Sequence, residues 1–413
     1  MRRIPTIALF LVGLLVLLAV VPASAVNWRI TQITDNEGDD SSTRVISQGW
    51  LAWVSKPSFF DDQEIVLYYP GPNPIRQITN NDYDDNSPDL SWNPVSEIPT
   101  LCWKGRCGPD NTYEIFTMGF KVPLRLTDNS YEDDEPQNSG THIVWEGRQN
   151  GDDWEIFRYT SSLGVVQLTM DSLDDRHPVV SGLRILWSKT DPEEYGQETY
   201  YFDGLDTFRL TDNAWMERDH RIDGMHQVWG MFHGSGVVGD WEIHHRYSDG
   251  PIEQLTNNTL YDFDPVVSGN RIVWTQNDGH DTEILYYDGV SIRQLTDNEV
   301  DDEEPQISGQ RIVWVRYPRT GELSDDGQIY LFDDADDSIT LLEDGYDNGY
   351  HPKIAGNFVV WHVFDGHDYE VMLAIACDEM PGDIDKNCVV DLADFAILSA
   401  DWLDCTLPSV YCP

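Results

Sequence analysis

The sequence predicts an all-β fold, an eight-bladed β-propeller followed by a small C-terminal loop and helix, because three short patterns each recur eight times. The first is a Leu-Thr or Ile-Thr pair, and the threonines of its first seven copies lie 40 to 48 residues apart. The second is a tryptophan that ends an apolar run, and the third is a Glu-Ile type pair that opens another. The first pattern occurs as QITDN (32–36), QITNN (77–81), RLTDN (125–129), QLTMD (167–171), RLTDN (209–213), QLTNN (254–258), QLTDN (294–298) and a divergent TLLED (340–344); the tryptophans are Trp53, Trp103, Trp145, Trp187, Trp229, Trp274, Trp314 and Trp361.

Residues 1–25 have the features of a secretory signal segment. Arg2 and Arg3 precede the apolar run IALFLVGLLVLLAVV, and Ala23-Ser24-Ala25 is a small-x-small cleavage site. We expect cleavage after Ala25 and a mature chain without a membrane span that is secreted or held at the cell surface. The alternative is an uncleaved anchor, because the apolar run approaches the length that crosses a bilayer.

Residues 26–377 form the predicted propeller. Each repeat holds four short extended segments of the types P-x-I-S, R-I-V-W, E-I-x-x-Y and R-Q-L-T, which we call strands A to D. Four strands in about 44 residues are typical of one propeller blade. The eighth repeat ends at EVMLAI (370–375) without a strand D, and the mature chain begins with the extra strand WRITQIT (28–34). We therefore expect the N-terminal strand to complete the last blade. Seven blades are the alternative if the second repeat, with its insert NPVSEIP, is displaced.

The six cysteines and the charge narrow the class of protein further. An even number of cysteines suits an exported protein with up to three disulfides. Cys102 and Cys107 could close a local loop, whereas the pairing among Cys377, Cys388, Cys405 and Cys412 stays open.

The net charge of -47 excludes nucleic acid as a partner, and the content of 15 Trp, 19 Tyr and 14 Phe excludes a disordered acidic chain.

The repeat, which runs from Leu-Thr through an acidic stretch to P-x-x-S, an apolar strand and an E-I/L-Y strand, resembles the TolB-like, PD40-type propeller repeats. The resemblance covers about residues 28–376. It implies the propeller architecture, but the family includes binding modules, peptidase-associated propellers and polysaccharide lyases. In such lyases histidines at the channel mouth act with a metal.

Acidic residues are expected to gather on one face of the propeller. The D-to-A and B-to-C connections share that face, and both are rich in Asp and Glu, whereas the opposite turns, such as SGLR and YDGV, are mostly turn residues. The acids could serve as turn caps and solubilising groups, or they could bind a ligand with the help of a cation.

The residue before the proline of strand A should lie at the mouth of the central channel. Carboxylates and imidazoles that converge there could hold a divalent cation. The predicted ligand-binding residues are Glu135, His177, Asp219, Asp264, Glu304 and His351, and Thr43 and Ser87 occupy the position in the first two blades. No recognised catalytic motif is present. His177 and His351 are weak catalytic candidates, and His244-His245-Arg246 and the pair His177/His220 are the other base-like groups.

Residues 378–413 differ in composition and contain GDIDKNCVVDLADFAILSADWL (382–403). The spacing of oxygen ligands is that of an EF-hand-like Ca²⁺ loop followed by a helix. The ligands would be Asp383, Asp385, Asn387, Asp391, Asp394 and the backbone carbonyl of Val389. The segment resembles one repeat of a type I dockerin, which implies a cohesin-like extracellular partner. It departs from the pattern in having Cys388 at the usual glycine and only one repeat.

Together these features predict a secreted, non-catalytic binding or scaffold propeller. It would recognise a protein or a carbohydrate on its acidic face, and the dockerin-like tail would attach it to an extracellular assembly. The alternative is a polysaccharide-degrading enzyme, a lyase or glycoside hydrolase, with a propeller catalytic domain.

Overall fold

The computed structural model describes residues 26–377 except 59–60, 72, 120–121, 150–152, 192–195, 214, 236–237, 319–326 and 343–347. The signal segment (1–25) and the C-terminal unit (378–413) with its predicted Ca²⁺ ligands lie outside the described residues. Within the described part of the chain, no helix is long and apolar enough to cross a membrane.

Thirty-two strands form eight antiparallel four-stranded sheets, which are the blades. Blade 1 consists of β2 (Asp39–Val45), β3 (Leu51–Lys56), β4 (Glu64–Tyr68) and β5 (Ile75–Gln77). Blade 2 consists of β6 (Asp85–Asn93), β7 (Ile98–Gly105), β8 (Glu114–Met118) and β9 (Leu124–Arg125). Blade 3 consists of β10 (Asp133–Asn138), β11 (Ile143–Gly147), β12 (Glu155–Thr160) and β13 (Gly164–Gln167). Blade 4 consists of β14 (Asp175–Ser181), β15 (Arg184–Asp191), β16 (Gly196–Phe202) and β17 (Thr207–Arg209).

The second half of the ring repeats this order of strands. Blade 5 consists of β18 (Glu217–Asp223), β19 (His226–Ser235), β20 (Val238–Tyr247) and β21 (Ile252–Gln254). Blade 6 consists of β22 (Tyr261–Ser268), β23 (Arg271–Asn277), β24 (Thr282–Tyr287) and β25 (Ile292–Gln294). Blade 7 consists of β26 (Asp301–Ser308), β27 (Arg311–Tyr317), β28 (Gln328–Asp333) and β29 (Ser338–Leu341). Blade 8 consists of β30 (Gly349–Ala355), β31 (Phe358–Phe364), β32 (Tyr369–Ala376) and β1 (Trp28–Gln32).

The N-terminal strand closes the ring. β1 pairs antiparallel with β32, from Trp28 opposite Ala376 to Gln32 opposite Met372. A shared apolar cluster joins blades 8 and 1, since Leu51 and Trp53 pack with Val360 and Leu373. This pairing removes two free strand edges, and it confirms eight blades over the alternative of seven. The insert of the second repeat only lengthens the hairpin between β6 and β7.

The repeated tryptophans are the largest side chains of the core. All eight are at most 1% exposed. They lie on strand B, where they contact apolar residues of their own blade and of a neighbouring blade; in blade 7, for example, Trp314 packs with Ile307 and with Ile284 and Tyr286 of blade 6. Burial of one such ring in each blade supplies much of the hydrophobic free energy that holds the blades together.

The other repeated residues form a hydrogen-bond network that joins each blade to the next. Between blades 6 and 7, Asp302 accepts hydrogen bonds from the Trp314 indole (2.6 Å) and from the Asn298 side chain (2.6 Å). The backbone N–H of Asn298 donates to Glu283 of blade 6 (2.7 Å), and Thr296 Oγ1 accepts from Ile284 N (2.8 Å). The Leu-Thr and Glu-Ile patterns of one blade therefore meet the tryptophan of the next blade in a single hydrogen-bonded joint.

The same joint is built around Asp40, Asp85, Asp133 and Asp262 by their tryptophans and asparagines. Asp175 also binds its tryptophan, Trp187, at 2.6 Å. Blade 5 departs from the pattern because it has Glu217. Its longer side chain accepts from the hydroxyls of Thr199 and Thr211 in the preceding blade, and the Trp229 indole N–H has no hydrogen-bond partner.

On the opposite face, the serine of P-x-x-S forms a second set of inter-blade contacts. Ser139 Oγ accepts a hydrogen bond from the Gly182 N–H of the next blade (2.7 Å), and Ser268 does the same for Gly309 (3.0 Å). Gly182 and Gly309 have φ of +61°, a left-handed conformation that favours glycine. This requirement explains the recurrent Ser-Gly pair.

The predicted Cys102–Cys107 disulfide is wrong, because both residues are free cysteines. Cys102 lies within β7 and is fully buried in the core, whereas Cys107 lies beyond the end of the strand. An extended strand advances about 3.3 Å per residue, which carries the two thiols apart. Cys377 is disulfide-bonded, and its partner lies outside the described residues.

The tryptophan–aspartate hydrogen bond can be tested with a matched pair of variants. Trp274→Phe removes a bond to buried Asp262, whereas Trp229→Phe removes a ring of the same size that has no such bond. Because a hydrogen bond to a buried charged group contributes about 1–3 kcal/mol, we expect Trp274→Phe to lower the free energy of unfolding by that much more than Trp229→Phe. Urea denaturation followed by circular dichroism measures both, and equal losses would contradict the proposed joint.

Candidate functional site

The channel-mouth position is a β-bulge in strand A of every blade. In each innermost strand the pairing register shifts at this point, for example between Asp134 and Gln137 in blade 3. The bulged residue has a left-handed φ of about +50°, which is uncommon for residues other than glycine. The eight residues are Ser42, Ser87, Glu135, His177, Asp219, Asp264, Glu304 and His351. Ser42, not Thr43, occupies the position in blade 1; the prediction was one residue out because this blade lacks the proline.

Two of the predicted residues form a carboxylate–imidazole pair between blades 3 and 4. His177 Nδ1 lies 2.9 Å from Glu135 Oε2, and both side chains are about half exposed. The buried Glu146 accepts the His177 backbone N–H (2.7 Å) and pairs with Arg176 (2.6 Å). The carboxylates of Glu135 and Glu146 and the imidazole of His177 offer ligand atoms within 4.8 Å of one another, so they could hold a metal ion.

The ionisation of this pair follows from its contacts. The hydrogen bond with Glu135 raises the pKa of His177 above its usual value, against the opposing effect of burial. Burial by itself would raise the pKa of Glu135, but the hydrogen bond and charge of His177 outweigh it and the pKa is lowered. Each shift therefore favours the charged form of its own group, as expected for two partners of opposite charge.

A second pair of the same type joins blades 7 and 8. His351 Nδ1 lies 2.7 Å from Glu304 Oε2, and the imidazole is 60% exposed. The pKa of Glu304 is lowered because the contact with His351 outweighs burial. Asp219 pairs with Arg218 (2.9 Å), and Asp264 lies close enough to Asp219 and Glu304 for their charges to raise its pKa beyond the effect of burial. The six predicted residues thus surround one mouth.

A cavity of about 300 Å³ opens beside the first pair. Glu135, His177 and Asp219 contribute polar groups to its wall, and Ser188, Gln197 and Arg221 lie farther along it. Its lining is mixed in charge and rich in hydrogen-bonding groups, which suits a ligand with several hydroxyl or carboxylate groups.

Sequence reasoning missed a cluster of cations inside the channel. Arg44, Arg221 and Lys353 follow the mouth residues by two positions on strand A of blades 1, 5 and 8. Burial, and then the charges of Arg44 and Arg221, lowers the pKa of Lys353 to about 8. The three residues thus occupy equivalent positions on the innermost strands of three blades, and Arg44 also forms an ion pair with Asp89 of blade 2 (3.4 Å). The two-residue period of a strand, applied from the mouth position, could have found them.

Many acids of the predicted acidic face have an internal role instead. Asp40, Asp85, Asp133, Asp175, Glu217, Asp262 and Asp302 are at most 1% exposed. Burial raises the pKa of Asp85, Asp133 and Glu217 to about 7 and that of Asp175 to about 6. These carboxylates belong to the inter-blade joint and are inaccessible to a ligand.

The remaining histidine candidates are core residues. His220 is 3% exposed and bonds to the Thr199 hydroxyl, and burial lowers its pKa to about 3. His244 and His245 are also buried, with pKa values lowered to about 4. These imidazoles are neutral and inaccessible, so His177 and His351 are the histidines that can meet a ligand at the mouth. The roles of the six predicted mouth residues stay predictions.

No known protein family and no curated protein match the sequence. Solved structures do. The chain is similar to the β-propeller domain of the Trilobed protease from Pyrococcus furiosus, with a TM-score of 0.50, 12% identity, and coverage of 82% of this chain and 95% of that chain. The chain is also similar to an oligogalacturonate lyase solved in complex with manganese, with a TM-score of 0.51 and 10% identity. The match covers 86% of this chain and 94% of the lyase chain.

Oligopeptidase B from Trypanosoma brucei has a TM-score of 0.53 and 9% identity over 83% of this chain and 53% of its own, so the chain spans about half of that peptidase. Identities this low define only the fold. The protein belongs to the structural class of eight-bladed propellers, a class that includes peptidase and lyase propeller domains.

The buried carboxylates predict the pH dependence of stability. A group whose pKa is raised on folding stabilises the fold below its unfolded pKa, here 3.8 for Asp and 4.5 for Glu, and this contribution is lost as the pH rises towards 6 or 7. We expect the urea midpoint to be higher near pH 5 than near pH 8. Asp133→Asn should make the profile shallower, and a midpoint that rises with pH would contradict the assignment.

The mouth pair can be tested by NMR titration of His177. We expect its pKa to lie above 6.5 and to fall when Glu135→Gln removes the charged acceptor. Glu304→Gln is the matched control, since it changes the other pair and should leave the titration of His177 unaltered. A pKa of His177 that is insensitive to Glu135→Gln would contradict the pairing.

Proposed function

We propose that the protein is a secreted, non-catalytic propeller that binds an anionic polysaccharide at its channel mouth. The observation that carries the proposal is the set of exposed or half-buried polar side chains at eight equivalent, strained backbone positions. A left-handed conformation at a residue such as His or Glu costs about 1–3 kcal/mol, and such strain is concentrated at functional sites. The bulge turns these side chains towards one opening.

The order of charges along the channel supports a ligand that carries both hydroxyl and carboxylate groups. Glu135, Glu304 and Asp264 at the mouth can accept hydrogen bonds from sugar hydroxyls. Two positions further along strand A, the half-buried Lys353 and the exposed Arg221 carry positive charge that would attract an anionic group. A neutral polysaccharide would use only the first of these two layers.

The ionisation of the histidines favours binding over catalysis. A general base must be unprotonated and accessible near the working pH. His177 has a raised pKa and is engaged with Glu135, whereas the neutral His220 is buried. Neither of these two imidazoles is both accessible and free of a hydrogen-bonded partner.

A polysaccharide lyase is the second candidate. It is favoured by the cluster of Glu135, Glu146 and His177, whose ligand atoms could hold a metal ion, and by the shared fold of a lyase solved with manganese. Bound there, a metal would supply Lewis acidity towards a substrate carboxylate. Glu146 would have to exchange its contact with Arg176 for the ion.

Export and attachment complete the proposal. The signal segment (1–25) supports secretion, and the oxygen spacing from Asp383 to Asp394 supports a Ca²⁺-stabilised, dockerin-like tail with a cohesin-like partner. In this arrangement the tail fixes the protein to a surface or complex, and the mouth faces the polysaccharide.

A binding panel tests the proposal. The mature chain would be titrated with acidic polysaccharides (polygalacturonate, alginate) and neutral ones (xylan, soluble cellulose), with Ca²⁺ or with a chelator, and scored for both affinity and unsaturated product. We expect acidic ligands alone to bind. Lys353→Met and His177→Ala should each weaken binding about tenfold or more, as loss of a charged contact does.

His280→Ala is the matched control, because His280 lies in the B-to-C loop of blade 6 rather than on strand A. It should bind like the unaltered protein. Product release that His177→Ala or His351→Ala abolishes would replace the non-catalytic function with the lyase. Equal affinity for neutral and acidic polymers, or binding to neither, would refute the proposed ligand class.

A further inference from the structure

The loop between β31 and β32 of blade 8 contains a compact group of carboxylates away from the channel mouth. The loop reads Asp-Gly-His-Asp-Tyr-Glu, from Asp365 to Glu370. Asp365, Asp368 and Glu370 each offer an oxygen, and these three oxygens lie within 4.8 Å of one another. Asp368 is 6% exposed and Glu370 is fully buried, so the group is part of the folded structure and not of the solvated surface.

The buried oxygens in this group lack donors. Both carboxylate oxygens of Asp368 are inaccessible to solvent and have no hydrogen-bond partner, and the same is true of Glu370 Oε2. Oxygen Oε1 of Glu370 accepts the backbone N–H of Asn36 at 2.9 Å. In most blades the strand-C glutamate also has one unpaired oxygen, and blades 6 and 8 each place a further buried carboxylate beside it, Asp281 and Asp368. Among the described residues of these two blades, the three carboxylates come within 4.8 Å of one another in blade 8.

Two neighbouring carboxylates carry charge of the same sign as Asp368, and the imidazole of His367 opposes them by a smaller amount. Burial raises the pKa of Asp368, and the negative charges of Asp365 and Asp39 raise it further. No lysine or arginine among the described residues forms an ion pair with Asp365, Asp368 or Glu370. Burial of carboxylates without a counter-charge is unfavourable, and a bound cation would remove that cost.

We propose that Asp365, Asp368 and Glu370 form a binding site for a Ca²⁺ ion that stabilises the closure of the propeller ring. Carboxylate oxygens are the donors that hard divalent cations prefer, and nitrogen and sulfur donors are absent from the set. Ca²⁺ binds oxygens at about 2.3–2.6 Å in flexible geometry, so one ion can bridge oxygens separated by up to 4.8 Å. Mg²⁺ requires shorter distances and stricter geometry.

The position of the group links it to ring closure. Glu370 lies on β32, which pairs with the N-terminal strand β1, and its hydrogen bond to Asn36 holds the segment that leads from β1 into blade 1. Asp39, whose charge acts on Asp368, begins β2 of blade 1. A cation at this place neutralises carboxylates of blade 8 beside the entry to blade 1. Closure of the ring is then coupled to Ca²⁺ by mass action.

Blade 6 provides a matched control loop. Residues 278–283 read Asp-Gly-His-Asp-Thr-Glu, which differs from the blade 8 loop only at the fifth position. In both loops the first aspartate accepts the backbone N–H of the histidine, at 2.8 Å. Among the described residues, Asp278, Asp281 and Glu283 do not form a three-carboxylate group of the kind found in blade 8.

Thermal unfolding of the mature full chain tests the site. The substitutions Asp383→Ala and Asp385→Ala are introduced together as a background, so that the predicted C-terminal loop does not contribute. We expect Ca²⁺ in about hundredfold excess over its Kd to raise the Tm by roughly 3–5 °C in this background, and Mg²⁺ at the same concentration to do less. Asp281→Asn should retain the rise, and Asp368→Asn should abolish it.

The chelated state separates metal binding from misfolding. In the presence of a chelator, Asp368→Asn should melt at the same temperature as the unaltered chain or higher, because the substitution removes one of several repelling buried charges. Calorimetric titration should then show one fewer Ca²⁺ bound per chain. Three outcomes would overturn the proposal. The Tm rise could persist in Asp368→Asn, it could disappear when the C-terminal background substitutions are introduced, or Asp281→Asn could abolish it as fully as Asp368→Asn does.

Discussion

The structure depends on one repeated constraint, the hydrogen bonding of a buried carboxylate at the start of strand A. In blade 7 this carboxylate is Asp302, which holds the indole of Trp314 and the side chain of Asn298 at once. Asn298 in turn binds Glu283 of the preceding blade. A propeller blade has little contact with any but its two neighbours, so its orientation must be set at the joint between them. The carboxylate does this because it accepts several directional bonds in a site from which water is excluded.

This arrangement has an electrostatic cost, because a carboxylate is taken out of water at the joint. In the joints at blades 1 to 6 the buried carboxylate is harder to ionise, as the raised pKa values of Asp85 and Asp133 show. The sequence places further acids in the same loops, where they remain exposed. A reader of the sequence sees a single acidic cluster, whereas the fold divides it into internal joints and external groups. The two sets differ in accessibility and therefore in what they can do.

Departures from the repeat mark the places where a function can be added. The mouth positions share one backbone conformation but have different side chains, from Ser42 to His351, so the backbone is constrained while the chemistry is free to vary. The Asp-Gly-His-Asp loop of blade 8 differs from its counterpart in blade 6 through its position beside the ring closure. In both cases a repeated scaffold holds side chains whose arrangement differs from blade to blade.

The sequence by itself determined the number of blades, the order of strands and the closure by the N-terminal strand, because these depend on the spacing of Thr, Trp and Glu along the chain. It also identified the face and the position of Glu135, His177, Glu304 and His351, since strand periodicity carries that information. It did not reveal that His177 pairs with Glu135 from a neighbouring blade or that Arg44 pairs with Asp89 of the next blade. Nor did it reveal that Asp302 is internal while Asp301 begins the strand beside it. These facts depend on distances between blades and on a bulge that changes the direction of a side chain. Only the tertiary structure decides them, because residues more than 40 positions apart meet only when the ring is closed.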